Sequence, residues 1–525
     1  MPVLLAGSIQ DLESMARRGF TRRDVLKAGG AGALSLGVAG CATDDFETEL
    51  TRDGDGPNVL MILTDTTRAD FIGAYNRNSI AETPNIDALA KEGLRFSLAV
   101  PEAMPTGPAR RAILTGQRGF PFRDWVESPP LPPEPGWTPI GDYQPIFTEL
   151  LGDAGIDTAY CTDNPFIVGP RYAEFRRTLD AARPDFSQGA YRAFNKPFKR
   201  PAAREEIERY LLPALSDTVE VQRIRDHVGW NSLFRRRERD YSSARVMRAG
   251  MKVLDEVKGN GKPFFLGVDA FDPHEPFDPP RSWKVGISGD KPKGIEKDGI
   301  IPIQPFETPS NRVDTIGIDE DTVQLVRELY AGELSYTDRW IGRLLNKLDD
   351  LGLADNTLVY YFSDHGITLG EHGIIGKAAA LPHYPIYHVP YLIKDPQGRL
   401  AGETSDYFAS THDVAKTILS TMGVRPAGAM DGEDLSVLFE GRQPPPRPVF
   451  TACYADNVIA GDGRYVLISN IVGKRRRLYD TLEDPGELND IAADNPQMVD
   501  RLWKALEDEA GGTLPMFGED FVLGG

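Results

Sequence analysis

Four stretches of the chain are short and predominantly apolar: "NVLMIL" at 58–63, "IDTAYC" at 156–161, "PFFLGVDAF" at 263–271 and "TLVYYF" at 357–362. Runs of this length and β-branched or aromatic content predict strands buried on both faces of a parallel sheet. Between them the period changes. In "DRWIGRLLNKLDDLGL", 338–353, Ile341, Leu344, Leu345 and Leu348 fall on one helical face, and Gly352 is placed to close the helix. Strands alternating with helices predict an α/β fold, a large central mainly parallel mixed sheet flanked by helices.

The alternation breaks twice. Residues 172–245, rich in Arg, Pro and Phe and including "FRRRERD" at 234–240, read as a divergent insertion over the carboxyl edge of the sheet, its charge run a solvated helical face. Beyond 426 the short runs "RPVFTACY", "RYVLISN" and "RRLYDTL" precede a last helix near 496–509. They predict a smaller C-terminal α+β subdomain with an antiparallel sheet over 426–525, following a main domain over 57–425.

The first 41 residues follow neither pattern. "FTRRDVLKAGGAGALSLGVAGC" sets Arg22 and Arg23 before a weakly apolar run that ends in Val38-Ala39-Gly40-Cys41. This reads as a twin-arginine export signal closing in a lipoprotein box, too short to remain as a membrane-spanning helix. The expected location is extracytoplasmic, with membrane contact only through a lipid anchor at Cys41 and with 42–56 as a polar tether. Cys161 and Cys453 then remain, which is no disulfide framework.

Charge narrows the partners. Lys and Arg number 59 against 78 Asp and Glu, a net charge of -19, which argues against nucleic acid. The expected partner is a small-molecule or envelope-derived anionic ester; the sequence leaves oligomeric state open.

In an open parallel sheet, ligands bind beyond the carboxyl ends of the strands. The four strands are followed there by Asp65, by Asp163 and Asn164, by His274, and by Asp364 and His365. Asp65, Asp364 and His365, with Thr106 as a further oxygen, suit one divalent cation. Thr106 opens "TGPARRAILTG", where Pro108 fits a first helical turn, whose free N–H groups suit an anion. Arg110, one turn on, is placed to grip Thr106 or the oxygens of the anion; Lys377 could reach another of them, and His274 could protonate a leaving oxygen. A second metal held by Asp269, Asp272 and His274 is the less favoured reading. Of the other histidines, His372 reads as a turn or core partner, His383 is left open, His388 and His412 read as structural, and His227 lies in the insertion.

These residues stand in motifs that resemble the sulfatases of the alkaline phosphatase superfamily. Thr106-Gly107-Pro108-Ala109-Arg110 through Leu114-Thr115-Gly116 matches the sulfatase signature, and so do "TPNIDALAKEGLRF", "DPHEPFDPP", "SDHGITLGEHG" and "LYDTLEDPGELNDIA". The resemblance implies hydrolysis of an anionic ester, with Asp65, Asp364 and His365 as metal ligands, Thr106 as nucleophile, Arg110 and Lys377 as anion and nucleophile supports, and His274 as general acid. Four departures qualify it. Thr66 replaces a usual second carboxylate. Asp364-His365 replaces Asp-Asn, so Mn2+ or Zn2+ fits better than Ca2+. Cys161-Thr162-Asp163-Asn164 replaces a sulfate-binding segment, leaving Asn164 as the expected substrate-binding substitute. Lastly, threonine stands where Cys or Ser becomes formylglycine.

Oxidised threonine gives a ketone, which cannot form that aldehyde hydrate. Thr106 would therefore act as a plain alkoxide, a chemistry that favours phosphodiester or phosphonate esters over sulfuric esters. A phosphoglycerol- or phosphoethanolamine-type transferase of the cell envelope, or a non-catalytic anion-binding homologue, remains as an alternative.

Overall fold

The computed structural model describes residues 56–123, 125–128, 135–141, 144–168, 173–184, 235–280, 283, 319–377, 382–426 and 430–517. The expected export signal, the tether up to 55 and all of 185–234, His227 included, lie outside them.

The strands of the central sheet are β1 (Asn58–Thr64), β2 (Leu94–Phe96), β4 (Asp157–Thr162), β5 (Ala181–Pro184), β6 (Phe264–Ala270), β7 (Thr357–Ser363), β10 (Tyr391–Lys394) and β11 (Thr404–Ser405), in the order β11-β2-β10-β7-β1-β6-β4-β5. The pairings of β1 with β6 and β7, of β4 with β5 and β6, and of β2 with β11 are parallel, whereas β10 runs antiparallel to β2 and β7. The continuous apolar runs follow from two-sided burial. Leu60 and Ile62 pack with Leu266, Val268 and Tyr361 on one face, and Val59, Met61 and Leu63 pack with Phe265, Tyr360 and Phe362 on the other.

Helices cover both faces. Helix α1 (Pro84–Glu92), α4 (Ser242–Val257) and α5 (Glu320–Asp350) supply the first layer, and α2 (Thr106–Thr115), α3 (Phe147–Asp153) and α6 (Asp413–Thr421) the second. Ile341, Leu344 and Leu348 of α5 are buried as the period predicts, while Leu345 is half-buried. The helix is longer than its clearest apolar stretch. It is capped by Asp319, whose carboxylate accepts from Thr322 N at 2.9 Å, and is closed where Gly352 takes φ +67° and Leu353 N returns to Leu348 O at 3.1 Å.

Two boundaries differ from the sequence reading. Ala181–Pro184 is an edge strand of the sheet and Ser242 opens a core helix, so the ends of the 172–245 stretch belong to the main layers. Met430, Leu435, Leu438 and Phe439 pack into the second apolar layer, so residues just after 426 also serve the main domain.

The second sheet orders β12 (Phe450–Tyr454), β13 (Asn457–Gly461), β14 (Tyr465–Asn470) and β15 (Arg477–Asp480) antiparallel, with α7 (Pro496–Glu509) on one face. At its edge β12 takes a parallel partner from far upstream, β3 (Ala103–Met104), through Cys453↔Ala103 and Tyr454↔Met104. The small sheet thereby fixes the chain two residues before Thr106. Between β7 and β10, the short strands β8 (Thr368–Leu369) and β9 (Ile375–Gly376) pair antiparallel just before Lys377. Cys161 and Cys453 are free, buried thiols.

Candidate active site

The site stands at the carboxyl ends of β1, β6 and β7. Asp65 directly follows β1 and is anchored by its N–H to Ala270 O, 3.0 Å, at the end of β6. Asp364 follows β7, and its Oδ1 accepts from the N–H of His365 at 2.8 Å and of Thr66 at 3.1 Å. Thr66 reaches this position with φ +57°, an uncommon value for a β-branched residue. The turn that replaces a usual carboxylate with Thr66 thus uses main chain, not side chain, to hold Asp364.

Thr106 is the first residue of α2. Its Oγ1 lies 3.3 Å from Asp65 Oδ2 and 3.1 Å from His365 Nε2. Gly107 follows because the ring of Trp137 lies against the main chain there, and a Cβ at 107 would stand 2.5 Å from two ring carbons. His365 Nδ1 lies 2.8 Å from Gly366 O, an atom that can only accept, so Nδ1 carries the hydrogen and Nε2 presents its lone pair beside Thr106.

The sequence expected Arg110 to grip Thr106 or an anion. It is instead clamped among carboxylates, with Nε and Nη2 on Asp269 at 3.1 and 2.7 Å and Nη1 on Asp65 at 3.2 Å and on Asp364. Three buried carboxylates require compensating charge, and Arg110 supplies one unit of it. Tyr160 OH also donates to Asp269, 3.1 Å. Asn164, expected at the substrate, donates Nδ2 to Asp65 Oδ2 over 3.1 Å, and its Oδ1 accepts from Phe166 N over 3.1 Å. Asp163 ties the loops together by accepting from Phe271 N at 2.8 Å.

The donor set fits a divalent cation. One oxygen or nitrogen from each of Asp65, Asp364 and His365 lies within 4.8 Å of the others, and Asp65 Oδ1 is buried without a hydrogen-bond partner. Burial pushes the Asp65 carboxyl well above its usual range, with repulsion from Asp364 adding to it. Burial also lowers the His365 imidazole, which favours the neutral, ligating form. Asp364 is lowered overall because His365 and Arg110 outweigh the opposing effect of its burial.

His274 and Lys377 meet beside this set: Lys377 Nζ is 2.7 Å from His274 Nε2 and 3.1 Å from both carboxylate oxygens of Glu275. Asp272, by contrast, is bonded to Ser243 N and Oγ, 3.1 and 2.7 Å, so Asp269, Asp272 and His274 serve three different neighbourhoods and form no second metal site. Sequence reading missed Glu275 as a partner of Lys377 and Asp269 as a partner of Arg110. Adjacency to His274 and position at the end of a central strand were the available signals.

A second cluster joins His372, His383 and Glu487. The two imidazoles stack at 3.6 Å and 7°, so their in-plane lone pairs run parallel and do not converge on one ion. His383 Nδ1 lies 2.7 Å from Glu487 Oε2, which also accepts from Tyr384 N at 3.0 Å, while Glu487 Oε1 accepts from Tyr387 OH. This is a brace tying the loop after β15 to the chain that follows Lys377. His388 is also structural, bonded to Ser97 O at 3.1 Å.

The sulfatase family model matches residues 57–424. The chain belongs to the sulfatase family. It is 29% identical over 420 residues to the multifunctional alkaline phosphatase superfamily protein PehA of Trinickia caryophylli, spanning 73% of this chain and 77% of that one. It is 25% identical over 388 residues to human iduronate 2-sulfatase, spanning 69% and 65%. Its fold matches the crystal structure of the phosphonate monoester hydrolase of Agrobacterium radiobacter with a TM-score of 0.62 at 20% identity, over 86% of this chain and 95% of that chain. The protein is thus an ester hydrolase of a family whose members bind a divalent metal ion.

Proposed function

We propose that the protein hydrolyses a phosphodiester or phosphonate ester, in preference to a sulfuric ester, with Thr106 as the nucleophile. The observation that carries this reading is the position of Thr106 Oγ1, 3.3 Å from Asp65 and 3.1 Å from His365 Nε2, at the start of a ten-residue helix. Threonine has no route to the formylglycine aldehyde, whereas a phosphoryl group on its oxygen can be released by water attacking phosphorus. The names of two similar proteins, one multifunctional and one a phosphonate monoester hydrolase, support the same direction.

Asp65, Asp364, His365 and Thr106 would hold the ion, and the His-containing donor set favours Mn2+ or Zn2+. When bound, it supplies positive charge that lowers the pKa of the Thr106 hydroxyl and offsets the buried carboxylates. Asn164 orients Asp65. Arg110 holds Asp65 and Asp364 in register with α2. His274 and Lys377 protonate the leaving oxygen.

The test is turnover of matched aryl sulfate, phosphate diester and phosphonate ester by Mn2+-loaded protein and by Thr106→Ala. Cleavage of the phosphorus esters with an inactive variant supports the reading, and a preferred sulfate ester overturns it. A glycerol adduct formed in the presence of glycerol would instead indicate a transferase; among the described residues no helix is long and apolar enough to cross a membrane. The proposal includes export through Arg22-Arg23 and a lipid on Cys41, which predicts that Cys41→Ser moves the protein from the membrane fraction to the soluble one.

A further inference from the structure

Lys377 is held more tightly than binding an anion alone requires. Its Nζ lies 3.1 Å from each oxygen of Glu275 and 2.7 Å from His274 Nε2. His274 in turn sets Nδ1 2.7 Å from the main-chain oxygen of Glu275 and 3.3 Å from Glu275 Oε2. All three side chains are 2% exposed or less.

A main-chain oxygen only accepts, so Nδ1 of His274 carries the hydrogen. In the neutral ring the lone pair is then on Nε2, where it takes an N–H of Lys377. Phe271 stacks on the His274 ring at 4.0 Å and 20°, which fixes the plane in which that lone pair points. A lysine stem is flexible, so a local anion is what fixes where its ammonium rests.

We propose that Glu275 is a positioning residue for leaving-group protonation: it holds Lys377 Nζ against His274 Nε2, so that this pair delivers one proton to the departing oxygen. The inference rests on the ester-hydrolase reading of the site. As the bond from phosphorus to the leaving oxygen breaks, that oxygen keeps the bonding pair and takes a proton from Lys377–His274. The pair regains it from the water whose oxygen then attacks phosphorus and frees Thr106.

The test compares wild type, Glu275→Gln and Glu275→Asp on esters of one acid group whose alcohols run from 4-nitrophenol to a simple alkanol. Because 4-nitrophenolate leaves without a proton, E275Q is expected within about threefold of wild type on that ester and about 100-fold down in kcat on the alkyl ester, with E275D recovering part of the loss. Equal loss along the series, or none, overturns the proposal. If the wild type cleaves none of the esters, the hydrolase reading falls, and imidazole 15N NMR of His274 judges the positioning role by itself. A lone pair on Nε2 that E275Q disturbs supports it, and an unchanged ring overturns it. Should neither variant fold, a wild-type His274 with its hydrogen on Nε2 overturns it, and an Nε2 lone pair that is hydrogen-bonded to the Lys377 ammonium supports it.

Discussion

Arg110 and Asp269 face each other through two hydrogen bonds, Nε to Oδ2 at 3.1 Å and Nη2 to Oδ1 at 2.7 Å, with both side chains withdrawn from water. The pair ties the first turns of α2 to the end of β6, and so sets the distance between Thr106 and the strand ends that carry Asp65 and Asp364. Removing the carboxylate would leave a buried guanidinium with fewer anions than it was folded around. Asp269→Ala is expected to cost about 3–5 kcal/mol in a denaturant titration of the metal-loaded protein. A loss below about 1 kcal/mol would mean that Asp65 and Asp364 suffice to hold Arg110.

Substitutions at Thr106 separate its hydroxyl from its methyl group. Thr106→Ala is expected to lower kcat at least about 1,000-fold on the best ester, whereas Thr106→Ser, which keeps the oxygen, stays within about tenfold of wild type. An active alanine variant would show that water attacks directly and that Thr106 is no nucleophile.

Gly107 tests the packing behind that residue. A Cβ there would meet the Trp137 ring at 2.5 Å. Gly107→Ala is expected to destabilise the fold by about 1–3 kcal/mol and to lower kcat, since overpacking would displace the first turn of α2. Combining it with Trp137→Leu should restore part of both, measured as a double-mutant cycle of thermal unfolding and turnover.

His388 gives the stability a sign with pH. Burial lowers its imidazole to about 4, against the opposing pull of Asp70 and the Ser97 carbonyl. A base whose folded pKa lies below its unfolded value binds fewer protons when folded. Stability therefore falls as pH drops from about 6.5 towards 4, by an amount approaching about 3 kcal/mol. Urea titrations at pH 7 and pH 5 should show this slope in wild type and a shallower one in His388→Asn. Identical slopes would place the acid sensitivity elsewhere.

The family reading and the layered sheet were legible in the sequence because both depend on local pattern. A strand buried on two faces must be apolar at consecutive positions, which is why β1, β4, β6 and β7 stand out as runs. Strands β3 and β13 did not. Ala103–Met104 is too short to have a period, and it is a strand only because Cys453 and Tyr454 lie beside it.

The same division holds at the site. The sequence by itself determined which residues could carry the chemistry: Asp65, Thr106, His274, Asp364, His365 and Lys377 follow strands or open helices in recognisable motifs. The tertiary structure alone decided their partners. Arg110 bonds the carboxylates, Asn164 turns to Asp65, and Lys377 lies between His274 and Glu275. Burial is the physical reason: away from water each charge must find a counter-charge or a hydrogen bond within about 3 Å, and which group supplies it depends on elements far apart in the chain.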